Sequence, residues 1–264
     1  MLSMMTLLTA MTIQATAPPT PARCCPIVEL RQYTLHPNKL DGFLPLFERE
    51  FIETQEAVGI SVIGHFRDRD DPDRFVWFRG FPDMPARAEA LQAFYGGPVW
   101  KAHRDEANAS FIDTDNVLLL RPVSATSGFA LAKLQRQPIG TRAPAKGIVV
   151  VMIYSFEAAV SDDFRQFFER EIKPELRKGG ISVAAELETE SSPNTFPRLP
   201  VREGENVFLW IATFATADDY AKSLARLELS RRWRETLAPE LTRRLKSPPQ
   251  VLRLTPAPRS LLHG

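Results

Sequence analysis

The feature that most constrains this chain is that its second half repeats the outline of its first. The stretch from Phe75 to Pro122, FVWFRGFPDMPARAEALQAFYGGPVWKAHRDEANASFIDTDNVLLLRP, returns as Phe208 to Pro256, where FLWIATFATADDYAKSLARL leads through RRWRETLAPEL to VLRLTP. Trp77 and Trp210, Phe81 and Phe214, and Trp100 and Trp233 each stand 133 residues apart (210 − 77). Upstream, LFEREFIETQEAVGISV lies opposite FFEREIKPELRKGGISV at a spacing of 121 (168 − 47). The second copy therefore carries twelve extra residues (133 − 121), which fall in an exposed loop around Thr189 to Glu205. Self-similarity at fixed spacing marks a structural unit used twice. The expected organisation is a disordered leader over residues 1–25, a first unit over 26–123, a linker over 124–147 and a second unit over 148–258.

Hydrophobic periodicity gives each unit its elements. Val28 to Leu35 alternates as a strand, and Leu40, Phe43, Leu44, Phe47 and Phe51 recur at helical spacing, with Pro45 expected to kink that helix or delay its start. Gly59 ends the helix, Ile60 to Arg67 and Arg74 to Phe81 form a hairpin, and Asp83 caps a helix whose stripe is Met84, Ala88, Leu91 and Tyr95. Gly96-Gly97 stops it, Pro98 opens a short helix carrying Trp100 and His103, and Val117 to Arg121 closes the unit. The second unit follows suit from Ile148, with Tyr154 matching Tyr33 and Ser161 capping its first helix. The order β-α-β-β-α-β is the ferredoxin-like pattern. Both helices of such a unit cover one sheet face and leave the other bare. Two bare faces in one chain are expected to meet and curl into a barrel with its helices outside, giving an α+β fold of tandem ferredoxin-like repeats.

Strand parity then sorts the side chains. Val28, Leu30, Ile60, Val62, Phe66, Val76 and Phe78 are expected to meet the helices, while Arg31, Tyr33, His65, Phe75, Trp77, Arg79 and Phe81 are expected to line the lumen. His65 and Arg79 are the candidate catalytic pair, the guanidinium holding an anionic or enolate-like group and the imidazole moving a proton. Arg31, Tyr33, Trp77 and His103 are the candidate ligand contacts. The competing reading is that these polar groups merely pair with carboxylates such as Glu29 and Glu186.

Charge narrows the partners. With 33 Lys+Arg against 32 Asp+Glu the chain has no global field to gather nucleic acid or an anionic membrane. No run of about 20 apolar residues exists to span a bilayer. The leader MLSMMTLLTAMTIQATAPPTPAR resembles an export signal only in its short apolar run and Ala15-Thr16-Ala17, so a cytoplasmic location is expected, with export as the alternative. Cys24 and Cys25 are adjacent, where a mutual bond would be strained and would close no useful loop, so a disulfide framework is excluded. Phosphate-loop, dinucleotide, nucleophile-elbow and zinc-helix motifs are absent, and neither a metal nor a cofactor is expected.

IVELRQYTLHPNKLDGFLPLFEREF, FVWFRGFPDM and FYGGPVWKAHRDEANASFIDTDNVLLLRP resemble the NIPSNAP family, strongly over Pro26 to about Pro122 and more loosely in the second copy. The resemblance implies a dimeric α+β barrel, here formed within one chain, and no agreed reaction, substrate or catalytic set. Related barrels include cofactor-independent monooxygenases, haem enzymes and plain ligand binders, so fold alone does not choose among them. Three readings follow: a barrel binding a small aromatic or anionic molecule in its lumen, a cofactor-independent monooxygenase or isomerase, and a protein-interaction module using the Thr189 to Glu205 loop. The chain is expected to be a monomer with an internal pair, or a homo-oligomer.

Overall fold

The structure, a computed structural model, describes residues 23–143 and 145–264. The expectation for residues 1–22 lies outside the described residues. Arg23 to Cys25, assigned to the leader, belong to the fold: Cys24 bridges Phe129 through the backbone, and Cys25 is buried. The two sulfurs are bonded to each other, and the bond closes no loop that could act as a framework.

The first half runs β1 (Ile27–Leu35), α1 (Leu40–Leu46), a π-turn (Phe47–Phe51), α2 (Ile52–Glu56), β2 (Ser61–Asp68), β3 (Arg74–Phe81), α3 (Met84–Gly96), α4 (Pro98–Asn108), β4 (Phe111–Asp113) and β5 (Val117–Pro122). The second runs β6 (Ile148–Ser155), α5 (Asp162–Phe167), a π-turn (Phe168–Ile172), α6 (Lys173–Lys178), β7 (Val183–Thr189), β8 (Val207–Phe214), α7 (Ala217–Leu229), a π-turn (Trp233–Leu237), α8 (Ala238–Arg244) and β9 (Gln250–Pro256). Asp83 and Ser161 cap α3 and α5, accepting from the N–H groups of Ala86 and Phe164. Gly59 and Gly180, 121 residues apart, both turn the chain at positive φ after a helix. Pro45 neither delays nor ends its helix. The irregularity comes just after it, and Gln166 stands at the matching place before the second half's π-turn, so the proline is not the cause. The turn's extra residue brings Phe47, Glu48 and Phe51 all to the buried side.

Eight strands close into one antiparallel barrel in the order β3-β2-β9-β6-β8-β7-β5-β1, with β1 pairing back to β3 and the short β4 attached beside β1. Each half supplies four neighbouring strands. The two seams are reciprocal: β5 pairs with β7 and β9 pairs with β2. The helices lie outside, as expected.

The parity assignment is inverted. Val28, Leu30, Phe66, Val76 and Phe78 fill the barrel interior with Val149, Val151, Leu187, Leu209, Ile211 and Leu254 from the other half. Tyr33, Phe75, Trp77 and Phe81 instead pack beneath the helices of the first half. The reason is volume: an eight-stranded barrel is only wide enough for its own side chains, and aliphatic groups fit where indoles and guanidiniums do not. The lumen is a packed core, which removes it as the expected ligand site. A β-bulge between Val62 and Gly64 explains the exceptions, since Ile60 and Val62 do meet the helices while Ile63 and Phe66, beyond it, turn inward. The linker is not wholly superficial either, because Phe129 enters the barrel core and its ring lies 5.5 Å from that of Phe78.

Candidate functional site beneath the first-half helices

On the helix-covered face, Glu29, Arg31 and Tyr33 alternate along β1, and Arg79 and Trp77 stand opposite the first two on β3. Arg87 reaches down from α3. Glu29 Oε2 accepts from Arg31 Nη1 at 2.6 Å and from Arg79 Nε at 2.7 Å, while Oε1 accepts from Arg87 Nε at 2.6 Å. All four residues are fully buried. Three guanidiniums on one carboxylate leave a surplus of two positive charges, where each desolvated ion costs several kcal/mol. Burial works to raise the Glu29 pKa, but Arg79, Arg31 and Arg87 outweigh it and hold the carboxyl well below the usual range. Burial lowers the Arg87 pKa against the pull of Glu29, and the two neighbouring guanidiniums lower it further.

In front of this cluster is an aromatic-walled chamber of about 90 Å³, lined among others by Tyr33, Phe47, Gln55, Trp77, Tyr95 and Trp100. The cations sit one layer behind its wall. Arg31 Nε donates to Tyr33 Oη at 2.6 Å; Arg79 Nη1 reaches Gln55 Oε1 at 3.4 Å and Tyr95 Oη at 3.5 Å, and its guanidinium carbon lies 5.1 Å from the centre of the Trp77 ring. Arg31 Nη2, Arg79 Nη2 and the Trp77 indole N–H are buried without a partner. Native proteins rarely leave buried donors in that state, and a cluster of them calls for an explanation. No carboxylate, imidazole or amine is among the lining residues.

The twelve-residue insertion supplies part of the wall. Between β7 and β8 the chain crosses to the first half, where Arg87 Nη1 donates to Asn194 Oδ1 at 3.0 Å and Thr195 Oγ1 at 3.2 Å. Phe196 is buried and stacks on Tyr95 with ring centres 6.0 Å apart, and Leu199 lines the chamber. Phe196 and Leu199 of the loop thus pack against the first half.

Of the residues singled out from sequence, Tyr33 and Trp77 line the chamber, and Arg31 and Arg79 support it from behind. His65 does not line it. The imidazole is buried beside Phe47, with Nε2 2.8 Å from Glu48 Oε1, an oxygen that also accepts from the Arg259 N–H at 2.9 Å. Burial lowers the His65 pKa against the raising effect of Glu48. His103 on α4 is partly exposed, 3.5 Å from Glu50 Oε2, and is likewise outside the lining. Sequence reasoning missed Arg87, Gln55 and Leu199. Arg87 carried a signal, since it sits with Met84, Leu91 and Phe94 at helical spacing, and the buried stripe of α3 runs through it rather than through Ala88 and Tyr95.

The second half has no such cluster at matching positions. At a spacing of 121, Val150, Met152 and Tyr154 stand for Glu29, Arg31 and Tyr33; at 133, Trp210, Ala212 and Tyr220 stand for Trp77, Arg79 and Arg87. There the Trp210 indole N–H donates to Tyr154 Oη at 2.9 Å, and the aromatic and aliphatic side chains close into a core.

These features define a mixed α+β protein built on a closed eight-stranded antiparallel barrel, with an aromatic chamber outside the barrel wall. Residues 28–126 match the NIPSNAP family model. Over nearly the whole chain the fold is similar to two monooxygenase-like proteins of known structure. One, from Fusobacterium nucleatum, is 10% identical at a TM-score of 0.53, covering 88% of this chain and 92% of that one. The other, from Lactobacillus acidophilus, is 14% identical at a TM-score of 0.50, covering 87% and 93%. Among curated proteins, the iron-regulated virulence regulatory protein IrgB of Vibrio cholerae is 30% identical over 79 residues. That match spans 27% of this chain and about a quarter (26%) of the relative's length. Among the described residues no helix is long and apolar enough to cross a membrane.

Proposed function

We propose that residues 26–123 and 148–258 are two copies of one ferredoxin-like unit, and that the first copy binds a small aromatic molecule in the chamber beneath its helices. The matching element order, the paired turns at Gly59 and Gly180, and the reciprocal seams support the duplication. The observation that carries the binding reading is an aromatic-walled chamber bordered by buried donors with nothing to bond. A packed core would have satisfied or replaced them, as the second half does. Proton-transfer chemistry has less support, because no general base lines the chamber and His65 is committed to Glu48 behind Phe47.

Size limits the ligand. A cavity of about 150 Å³ accommodates benzene, so a chamber of about 90 Å³ takes a single ring only when one wall yields. Leu199, on the loop, is the wall least tied to secondary structure. The test is a titration of the full chain with toluene and with benzoate, followed by tryptophan fluorescence and thermal shift. Saturable binding of either is expected, and Ala107→Phe, which fills the chamber from α4, should abolish it. Absence of saturable binding by both compounds at millimolar concentration would overturn the proposal.

A further inference from the structure

We infer that the ligand's polar group is a planar oxyanion, a carboxylate or an enolate, held between the Tyr33 O–H and the Trp77 indole N–H, with Arg31 as the positioning residue. The inference rests on the chamber being the binding site and goes beyond it by assigning the ligand's charge and the atoms that read it.

Arg31 has only donors, so in its 2.6 Å contact with Tyr33 the phenol oxygen is the acceptor and keeps its own hydrogen to give elsewhere. Burial raises the Tyr33 pKa, with Arg31 opposing, so the phenol stays protonated and remains a donor. Among the described residues Tyr33 donates no hydrogen bond, and the Trp77 N–H has no partner. Both side chains line the chamber with their rings edge to face, centres 6.1 Å apart. Both groups are donors without an acceptor among the described residues.

The second half supplies the internal comparison. Where Met152 replaces Arg31, no guanidinium occupies the phenol oxygen, and the indole of Trp210 bonds it directly. Arg31 breaks that closure in the first half. It occupies the phenol oxygen as an acceptor, and the indole N–H is left without a partner. The sign of the ligand's charge follows from the same cluster. Two uncompensated guanidinium charges behind the wall favour an anion and oppose an ammonium group, and in a desolvated site that preference is not screened away. The aromatic walls fit a flat group better than a tetrahedral, strongly hydrated one.

The experiment compares benzoate, toluene and benzylamine on the full chain and on Trp77→Phe and Tyr33→Phe, with Trp210→Phe and Tyr154→Phe as second-half controls. Benzoate is expected to bind at least tenfold more tightly than toluene, with benzylamine showing no saturation. Each first-half substitution should weaken benzoate about tenfold, the scale of one hydrogen bond to a charged group, and leave toluene unchanged. The controls should leave both affinities unchanged. Because either variant could fold poorly, the wild type is also followed by NMR of its indole N–H groups. Benzoate should shift one of the four indole resonances downfield into the hydrogen-bonded range, and toluene should not. Toluene binding without a preference for benzoate, or benzoate binding that neither substitution weakens and that moves no indole resonance, would overturn the oxyanion assignment while the chamber stands. Failure of both compounds to bind would overturn the chamber reading and this one with it.

Discussion

The two halves of this protein use the same tyrosine and tryptophan to opposite ends. In the second, Tyr154 and Trp210 satisfy each other amid apolar side chains, and the groove of about 600 Å³ beside α5 and α6 is walled by charged groups such as Arg165, Lys173 and Glu186 rather than by a cluster of aromatic rings. In the first, the matching Tyr33 and Trp77 are held apart in their bonding by Arg31, and a salt cluster occupies ground that elsewhere is Val150, Met152 and Ala212. What the comparison teaches is that an open chamber here does not come from missing bulk. It coincides with polar groups behind the wall: Arg31 donates to the Tyr33 oxygen, and the Trp77 indole N–H is left without the partner that Trp210 has.

The sharpest way to break this comparison is Glu29→Gln. It leaves three buried guanidiniums without their anion, and removing one partner of a buried ion cluster costs about 3–5 kcal/mol; urea unfolding should show a loss of that size. The same variant should lose pH dependence in acid. Since the folded pKa of Glu29 is depressed, its contribution is present above the unfolded value near 4.5 and fades as pH falls below it. A cost under about 1 kcal/mol would mean the cluster is solvated and not dry.

The next prediction converts one half into the other. Glu29→Val, Arg31→Met, Arg79→Ala and Arg87→Tyr together should leave the chain as stable or about 1–4 kcal/mol more stable, as when buried ion clusters give way to apolar groups. Benzoate binding should disappear, and a Trp77 indole resonance in the hydrogen-bonded range should appear without ligand. Marked destabilisation would show that the first-half core needs its ions for packing.

A smaller effect is expected from Leu199→Ala. The residue is half-buried, so the stability cost should be about 1 kcal/mol, below the range for a core leucine. The rate of benzoate association in stopped-flow fluorescence should rise, because the yielding wall has been trimmed. An unchanged rate would place the entry route elsewhere.

The smallest effect concerns His65 and Glu186, which occupy matching positions 121 residues apart. Burial depresses the His65 pKa despite Glu48, so its contribution is present above about 6.5 and is lost as pH falls. Burial raises the Glu186 pKa despite Lys173, so its contribution is present below 4.5 and is lost as pH rises through the folded value. His65→Gln should flatten the stability curve just below pH 6.5, and Glu186→Gln just above pH 4.5. Parallel slopes from the two sites would contradict the contrast between halves.

Much of the fold was legible because periodicity is local. The stripe Leu40, Phe43, Leu44, Phe47 and Phe51 is buried as read, and the caps at Asp83 and Ser161 are made as read. Alternation also grouped Arg31, Tyr33, Trp77 and Arg79 on one face. It could not say which face was the lumen, because that depends on the width of a barrel that only distant strands close. The bulge at Val62 further shifted parity within a single strand. Leu199 was out of reach for a related reason: its contact with the chamber joins residues about a hundred positions apart, and no local pattern encodes that. The three-residue β4 was missed because so short a strand carries too few alternations to register.

Closing the barrel through reciprocal seams has a consequence for self-association. Each main strand has a neighbour on both sides, although each seam joins only three residue pairs, and β4, three residues ending in Asp113, carries an outer side with no neighbouring strand among the described residues. So short a margin, ending in a charge, is a poor template for a foreign strand. Recruitment of a foreign strand into the barrel itself would first require one of these three-pair seams to be unzipped.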